Sequence, residues 1–216
     1  MITRLDHEPI SLTHVTCRVL DICVAVTALA FFAPLMLLIA LAIKMTSAGP
    51  VLFTQPRVGL GRQTFDFYKF RTMRPGVDDS AHRALVASQL RGESTCNGGS
   101  WKLHADPRIT PVGHLLRRTS LDELPQLFNV LRGEMAVVGP RPCLEWEAEM
   151  FPRSFDDRFA ILPGLTGLWQ VSGRSRLGTL DMLRLDVEYA RRKSLHGDVA
   201  ILARTVPVLL RGDGAR

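Results

Sequence analysis

Residues 22–43 read ICVAVTALAFFAPLMLLIALAI and contain no charged side chain. At 1.5 Å per residue a helix of this length is about 33 Å long, enough to cross a hydrocarbon core of roughly 30 Å. Pro34 lies near the middle of the run, where it would remove a helical hydrogen bond and bend the helix. The segment therefore predicts a membrane helix that either spans the bilayer or bends and returns to the same face.

The charges beside this segment do not choose between the two topologies. Arg4 and Arg18 precede it, and Lys44, Arg57 and Arg62 follow it, so both flanks are mildly basic. Orientation is read from an asymmetry in such charges. The residues alone give spanning and re-entrant topologies about equal weight.

The composition fits one domain with a membrane anchor and an excess of positive charge. The chain has 216 residues, with 27 Lys and Arg against 21 Asp and Glu, and a net charge of +6. That excess favours anionic partners such as phosphates and lipid headgroups. Few aromatic residues and no arginine-rich tail argue against nucleic acid. The four cysteines are scattered without a C-x-x-C spacing, which predicts reduced thiols on the cytosolic side of a membrane.

Beyond residue 44 the pattern predicts an α+β domain that is mostly helical. Residues 51–55 and 65–70 are β-prone around a turn at 56–61, which predicts a β-hairpin. In its second strand Lys69 and Arg71 should lie on one face. Helical patterns follow at 80–90, 106–138, 145–151, 180–193 and 198–210. The pattern at 106–138 is broken at Pro111 and Gly133. Residues 161–178 read as loop or strand.

The last helical pattern is amphipathic. Apolar residues recur along one side, namely Val199, Leu202, Val206 and Leu209. Such a side predicts either packing on the core or a position in the membrane interface.

The stretch TSLDELPQLFNVLRG, residues 119–133, places Asp122 and Glu123 side by side before a helical pattern. Proline is tolerated only in the first helical turn, so Pro125 makes Asp122 rather than Ser120 the predicted N-cap. Both acids would then lie at the positive end of the helix dipole, where phosphate or metal binds. A helix cap and a reaction centre both remain open at this point.

Several cations accompany the acid pair and are suited to a diphosphate, because guanidinium groups donate in forked pairs. They are Lys69, Arg71, Arg117, Arg141 between Pro140 and Pro142, and Arg174. The sequence has no Walker or dinucleotide-binding glycine motif. Phosphate binding would therefore depend on these cations, a helix N-terminus and a divalent metal. One acid could hold Mg²⁺ while the other attacks phosphorus.

Three long blocks, at residues 49–73, 106–142 and 162–175, together resemble the bacterial sugar transferases of the monotopic phosphoglycosyl transferase superfamily. They read GPVLFTQPRVGLGRQTFDFYKFRTM, DPRITPVGHLLRRTSLDELPQLFNVLRGEMAVVGPRP and LPGLTGLWQVSGRS. The likeness runs from about Arg18 to the C-terminus. The length resembles the small form of the family, an anchor with one catalytic domain.

The resemblance implies a reaction. Members transfer a sugar-1-phosphate from a UDP-sugar to undecaprenyl phosphate at the cytoplasmic face of the bacterial inner membrane and release UMP. The lipid product primes exopolysaccharide or capsule synthesis. By this resemblance Asp122 is the nucleophile that carries an aspartyl phospho-sugar intermediate, and Asp122 and Glu123 hold Mg²⁺. The cations beside Asp122 would keep it ionised.

The resemblance also assigns the surrounding residues. Arg117 matches the phosphate-binding arginine of the family, and the cation pattern described above adds Lys69 and Arg71 as further phosphate ligands. The Pro-Arg-Pro motif of the family matches Pro140, Arg141 and Pro142 and is associated with the nucleotide end of the substrate, to which we also assign Arg174 from the cation pattern.

The membrane helix of the family is re-entrant and is broken at a Ser-Pro pair. Here Ala33 precedes Pro34, while Arg18 and Asp21 remain as an anchor pair. The resemblance thus favours an interfacial segment (1–21), a re-entrant membrane helix (22–43) and a compact cytoplasmic transferase domain with a small β-hairpin and amphipathic interfacial helices (44–216).

Three other interpretations are weighed on the residues alone, and the multi-spanning one is set aside. A membrane-bound adaptor would explain the charge and the anchor but not an acid pair accompanied by arginines. A multi-spanning transferase would need more apolar runs, and an inactive relative would not need the acid pair. The sequence does not reveal the sugar, the polymer or whether the chain forms a homodimer.

Overall fold

The computed structural model describes residues 12–74, 80–92, 108–173 and 177–211, which form an α+β fold that is mostly helical. Its helices are α1 (Leu12–Thr46), α2 (Ser80–Leu90), α3 (Pro111–Thr119), α4 (Gln126–Arg132), α5 (Glu145–Met150), α6 (Leu168–Ser172), α7 (Thr179–Arg192) and α8 (Leu195–Arg211). Its strands are β1 (Leu52–Val58), β2 (Thr64–Phe70), β3 (Ala136–Val138) and β4 (Gly164–Thr166). Short 3-10 turns occupy Leu60–Arg62, Leu121–Glu123 and Arg153–Phe159.

Helix α1 contains the whole apolar run and extends beyond it at both ends. It is long and apolar enough to cross a membrane, and most of its surface is exposed. Phe31 and Leu37, for example, are 75% and 72% exposed. Helical conformation continues through Pro34, so the expected break does not end the helix.

One stripe of α1 packs against the rest of the chain along both halves of the helix. Ala25 belongs to a core cluster with Leu127 and Val130 of α4. After Pro34, Ile43 packs against Phe70 of β2 and Leu116 of α3 in a second cluster. Both halves of the apolar helix therefore contact the same domain.

The predicted anchor pair contacts the domain directly. Arg18 Nη2 donates to the Val130 carbonyl at 2.7 Å, near the carboxyl end of α4, where cations are favoured. The Val137 N–H of β3 donates to Asp21 Oδ1 at 2.7 Å. The pair thus fixes α1 to α4 and β3 by charge-assisted hydrogen bonds.

The predicted hairpin is confirmed. Strands β1 and β2 pair antiparallel, with Arg57 opposite Phe65 and Phe53 opposite Lys69. Strand β1 continues to Val58, so the strand includes part of the predicted turn. Gly61 then adopts φ 60°, a value that glycine reaches without strain.

A parallel pair, β3 and β4, forms a second small sheet among the described residues and meets the core. Ala136 pairs with Gly164 and Val138 with Thr166. A Cβ on Gly164 would lie 2.0 Å from the Gly139 nitrogen, so only glycine allows this approach. This contact fixes the chain that leaves β3.

Helix α8 packs on the core through Ile201 and through Leu202, which belongs to the predicted apolar side. Ile201 is buried in the core cluster, and Asp198 beside it is also buried. Val199 and Val206 are 50% and 58% exposed. The rest of the apolar side seen in the sequence, including Val199 and Val206, is therefore still available to another apolar phase.

Candidate active site

The acid pair lies in a tight turn between α3 and α4. Helix α3 ends at Thr119, and Ser120 adopts the left-handed conformation with φ 57°. Asp122 and Glu123 follow in a 3-10 turn, and α4 begins only at Gln126. The prediction that Asp122 caps this helix is wrong, because the chain already winds helically before Pro125. The Leu124 N–H donates to the Leu121 carbonyl at 3.3 Å, which places Asp122 inside a turn.

Four of the predicted site residues meet around Asp122, which is only 8% exposed. The charges of Glu123, Lys69, Arg117 and Arg141 all act on its carboxylate. Arg141 Nη2 also donates to Glu123 Oε1 at 2.8 Å. Three chain segments thus supply cations to one pair of adjacent carboxylates.

Burial has a larger effect on this cluster than the sequence suggested. The pKa of Asp122 is raised, mainly by burial and then by Glu123, although Lys69, Arg117 and Arg141 oppose the shift. The three cations thus reduce the effect of burial on the pKa of Asp122 but do not reverse it. Burial also lowers the pKa of Lys69 to about 8, against the attraction of Asp122. At neutral pH Lys69 remains mostly charged.

The backbone of β2 and the start of α3 together place Arg117. The Thr110 N–H donates to the Thr72 carbonyl at 3.0 Å, just beyond β2. The Thr110 hydroxyl then accepts from the Gly113 N–H at 2.9 Å as the N-cap of α3. A Cβ on Gly113 would lie 2.1 Å from the Thr72 carbonyl oxygen. This close approach sets α3, and Arg117 in its last turn, beside the hairpin.

The guanidinium of Arg71 binds at the end of α1. The antiparallel pairing of the hairpin continues one residue beyond β2, where the Arg71 N–H donates to the Val51 carbonyl at 2.9 Å. Arg71 Nη2 donates to the Ser47 carbonyl and hydroxyl at 2.9 Å and 2.7 Å. The structure therefore places Arg71 at the exit of α1, where it ties the membrane helix to the hairpin.

The loop that carries Arg141 rests on buried groups. The Gly164 N–H donates to the Pro140 carbonyl at 2.8 Å. Arg158 Nη2 donates to the Arg141 carbonyl at 2.8 Å and to Asp186 at 2.9 Å. Arg158 and Asp186 were not singled out in the sequence, because they pair across 28 positions of chain. Arg174, the last predicted nucleotide ligand, lies outside the described residues.

Asn129 holds the hairpin against α4 and was also missed. It is fully buried, and its side chain pairs with the outer edge of β2. The Tyr68 N–H donates to Asn129 Oδ1 at 3.2 Å, and Asn129 Nδ2 donates to the Asp66 carbonyl at 2.6 Å. The amide thus forms the hydrogen bonds that a neighbouring strand would otherwise form with this edge of β2, next to Lys69. A single amide within the apolar run LFNVL was the available signal.

A magnesium ion fits the chemistry of the acid pair. The described residues contain no group of three or more His, Cys, Asp and Glu side chains that could hold a metal. Mg²⁺ commonly binds through one or two carboxylates and completes its shell with water and substrate phosphates. Asp122 and Glu123 offer oxygen ligands for that mode of binding.

Comparison with known proteins identifies relatives of the chain. Residues 12–212 match the family described as bacterial sugar transferase. The UDP-glucose:undecaprenyl-phosphate glucose-1-phosphate transferase of Caulobacter vibrioides is 43% identical, over 92% of this chain and 71% of its own length. The exopolysaccharide production protein ExoY of Sinorhizobium fredii is 37% identical, over 92% of this chain and 87% of its own length.

The undecaprenyl-phosphate galactose phosphotransferase of Salmonella typhimurium is 41% identical over 92% of this chain. That alignment covers 41% of the Salmonella protein. The chain spans about two fifths of the length of several curated relatives of this kind.

Proposed function

The chain belongs to the bacterial sugar transferase family, and on that premise we propose that it transfers a sugar-1-phosphate from a UDP-sugar to undecaprenyl phosphate and releases UMP. The names of the Caulobacter and Salmonella relatives state reactions of this type. The observation that carries the proposal is the buried Asp122, adjacent to Glu123 and reached by the charges of Lys69, Arg117 and Arg141. The product would prime an exopolysaccharide or capsule, in keeping with the name of the Sinorhizobium relative.

The reaction proceeds in two displacements at one phosphorus. An oxygen of Asp122 first bonds to the sugar-bearing phosphorus, and the bond from that phosphorus to the UMP oxygen breaks. UMP leaves with the electron pair, and the sugar phosphate stays on Asp122. A phosphate oxygen of undecaprenyl phosphate then attacks the same phosphorus and releases the Asp122 carboxylate. Each step exchanges one P–O bond for another.

The surrounding cations make the first displacement feasible. A carboxylate and a diphosphate repel each other, and preorganised cations reduce that repulsion most where water is excluded. Lys69 and Arg117 act on Asp122, while Arg141 is hydrogen-bonded to Glu123. The arrangement therefore draws the diphosphate towards the nucleophile. An adaptor without catalytic activity would gain nothing from burying an acid there.

Magnesium belongs to the proposal. Asp122 and Glu123 would hold the ion, and its chemistry would be to neutralise phosphate charge and orient the diphosphate.

The membrane arrangement that we favour is re-entrant, with the domain on the cytoplasmic face of the inner membrane. Residues before and after Pro34, such as Ala25 and Ile43, pack on the same domain. A helix that spanned a bilayer would carry its ends to opposite sides, beyond the reach of one domain. The exposed apolar side of α8, with Val199 and Val206, would enter the same interface.

Release of UMP tests the function. Purified protein in nanodiscs is given Mg²⁺, undecaprenyl phosphate and each of a panel of UDP-sugars, and UMP is measured. We expect release with one sugar and loss of release with EDTA. Asp122→Asn should abolish release, because an amide cannot act as the nucleophile. Asp66→Asn, which removes an exposed carboxylate of β2, should leave release unchanged.

The intermediate has its own signature. Without the lipid acceptor, the enzyme should release one UMP per active site and retain the sugar phosphate on Asp122, which mass spectrometry of the intact protein would detect. Near-normal turnover of Asp122→Asn would show that another group is the nucleophile. No release with any UDP-sugar from folded protein would favour another nucleotide donor or the adaptor.

A further inference from the structure

We infer that Arg57 is a further substrate-binding residue, which holds the phosphate of the departing nucleotide. The inference rests on the proposed function and extends it to a residue of the hairpin. Arg57 lies in the stretch TQPRVG, at the end of β1.

The hairpin register places Arg57 on the same face as Lys69. Opposite residues of an antiparallel pair share a face, and alternate residues of one strand do so as well. Arg57 is opposite Phe65, and Lys69 is opposite Phe53. Since 53 and 57 are separated by an even number of residues, both cations project from one face. Arg57 is thus a cation on the same hairpin face as Lys69.

The guanidinium of Arg57 is held in place, but not all of its N–H donors have a hydrogen-bond acceptor among the described residues. Arg57 Nη2 donates to Gln55 Oε1 at 3.0 Å, and Cζ lies 5.4 Å from the centre of the Phe67 ring. Nη1 is 3.8 Å from Glu147 Oε2, beyond hydrogen-bond distance. The buried Nε finds no acceptor among the described residues. A buried donor without a partner is costly, and a bound anion is one of the few explanations for it.

The charges near Arg57 also favour the binding of an anion. Arg141 and Glu123 both act on Arg57, and Arg57 in turn acts on Lys69. Cations held this close repel each other in a poorly solvated site. A phosphate placed among them would replace repulsion by charge-assisted hydrogen bonds. Arg57 therefore completes a set of cations that suits two phosphates better than one.

In-line displacement suggests which phosphate Arg57 binds. The nucleophile and the leaving group lie on opposite sides of the reacting phosphorus. Lys69 and Arg117 act directly on Asp122 and would serve the phosphate that it attacks. Arg57 has its nearest carboxylate in Glu147 and also feels Glu123, which Arg141 contacts. This side of the cluster would receive the phosphate that leaves as UMP.

Binding of UMP tests the inference without requiring turnover. The dissociation constant for UMP is measured by calorimetry in nanodiscs for wild type, Arg57→Gln and Arg57→Lys. We expect UMP binding to weaken at least tenfold in Arg57→Gln and less in Arg57→Lys, which keeps the charge but not the fork. The matched control is Arg132→Gln, since Arg132 is exposed and stacks on Tyr68 of the same hairpin.

A second readout separates binding from a structural role. Arg57→Gln loses the contacts with Gln55 and Phe67, so the ligand-free melting temperature of each variant is taken as its own baseline. The rise above that baseline caused by UMP should shrink in Arg57→Gln. The KM for undecaprenyl phosphate should stay within twofold of wild type.

The outcomes distinguish the two proposals. Wild type that binds UMP while Arg57→Gln binds it equally well overturns the role of Arg57 and leaves the transferase function intact. A lower melting temperature with unchanged UMP affinity in Arg57→Lys also overturns it, in favour of a structural role. Wild type that neither binds UMP nor releases it overturns both.

Discussion

Asn129 offers a sharp test of how the site is assembled. Its amide is the link between α4 and the outer edge of β2, and Lys69 lies one residue from Tyr68 on that edge. Asn129→Asp keeps the shape of the side chain and one acceptor oxygen. It removes the donor that now serves the Asp66 carbonyl and Glu134 Oε2, both at 2.6 Å. The variant thus places an acceptor against two acceptors at a fully buried position.

The expected loss follows from the hydrogen bonds that disappear. A bond to a neutral carbonyl contributes about 0.5–1.5 kcal/mol, and one to a carboxylate about 1.5–3 kcal/mol. Their sum is about 2–4.5 kcal/mol, before any cost of burying a new carboxylate. For a chain of this size each kcal/mol lowers the melting temperature by roughly 2–4 °C. We therefore expect a decrease of roughly 4–18 °C in nanodiscs.

Activity should also fall at temperatures where the variant is still folded. A displacement of Lys69 by about 1 Å relative to Asp122 can reduce turnover by roughly 10²-fold. We therefore expect UMP release at about 25 °C to decrease about tenfold or more. The control is Gln63→Glu, the same change of group at an exposed position of the hairpin. If Asn129→Asp melts within about 2 °C of wild type, the amide does not hold β2 and the reasoning is refuted.

Two further predictions concern the cation and the membrane helix. A lysine whose pKa is lowered to about 8 loses its charge as the pH rises through that value, so kcat/KM for the UDP-sugar should decline above about pH 8. Lys69→Arg should move this decline to higher pH, and an unmoved limb would assign it to another group. For topology, single cysteines are introduced at His14 and at Met45, which are exposed at the two ends of α1. Both cysteines should react with an impermeant maleimide in inverted vesicles, and neither should react in spheroplasts. Labelling of one end from each side would establish a spanning helix.

The sequence predicts local features of this protein well where one segment contains its own signal. The apolar run, the hairpin and the helix at Ser80–Leu90 each show a hydrophobic period or a turn motif within a few residues. The prediction that Asp122 is an N-cap was wrong because it used only local residue preferences, which a 3-10 turn and the start of an α-helix share. The choice between them depends on how α3 ends at Ser120.

Residues whose partners are distant in the chain could not be assigned from local pattern. The face of Arg57 was legible from strand alternation once the register was known, but the register requires the folded hairpin. The contact of Arg71 with Ser47 has no local signal, because the two residues are 24 positions apart in the chain. Arg158 and Asp186 have no local motif at all, and only packing brings them together beneath Arg141.

The sequence by itself determined the membrane character of α1, the adjacent acids and the supply of cations, because each depends on side-chain chemistry and short-range periodicity. Tertiary structure alone decided which cations reach Asp122, that burial raises the pKa of its carboxylate, and that both halves of α1 contact one domain. Burial and charge proximity are properties of the folded chain, since they arise when segments far apart in sequence exclude water from the same small volume.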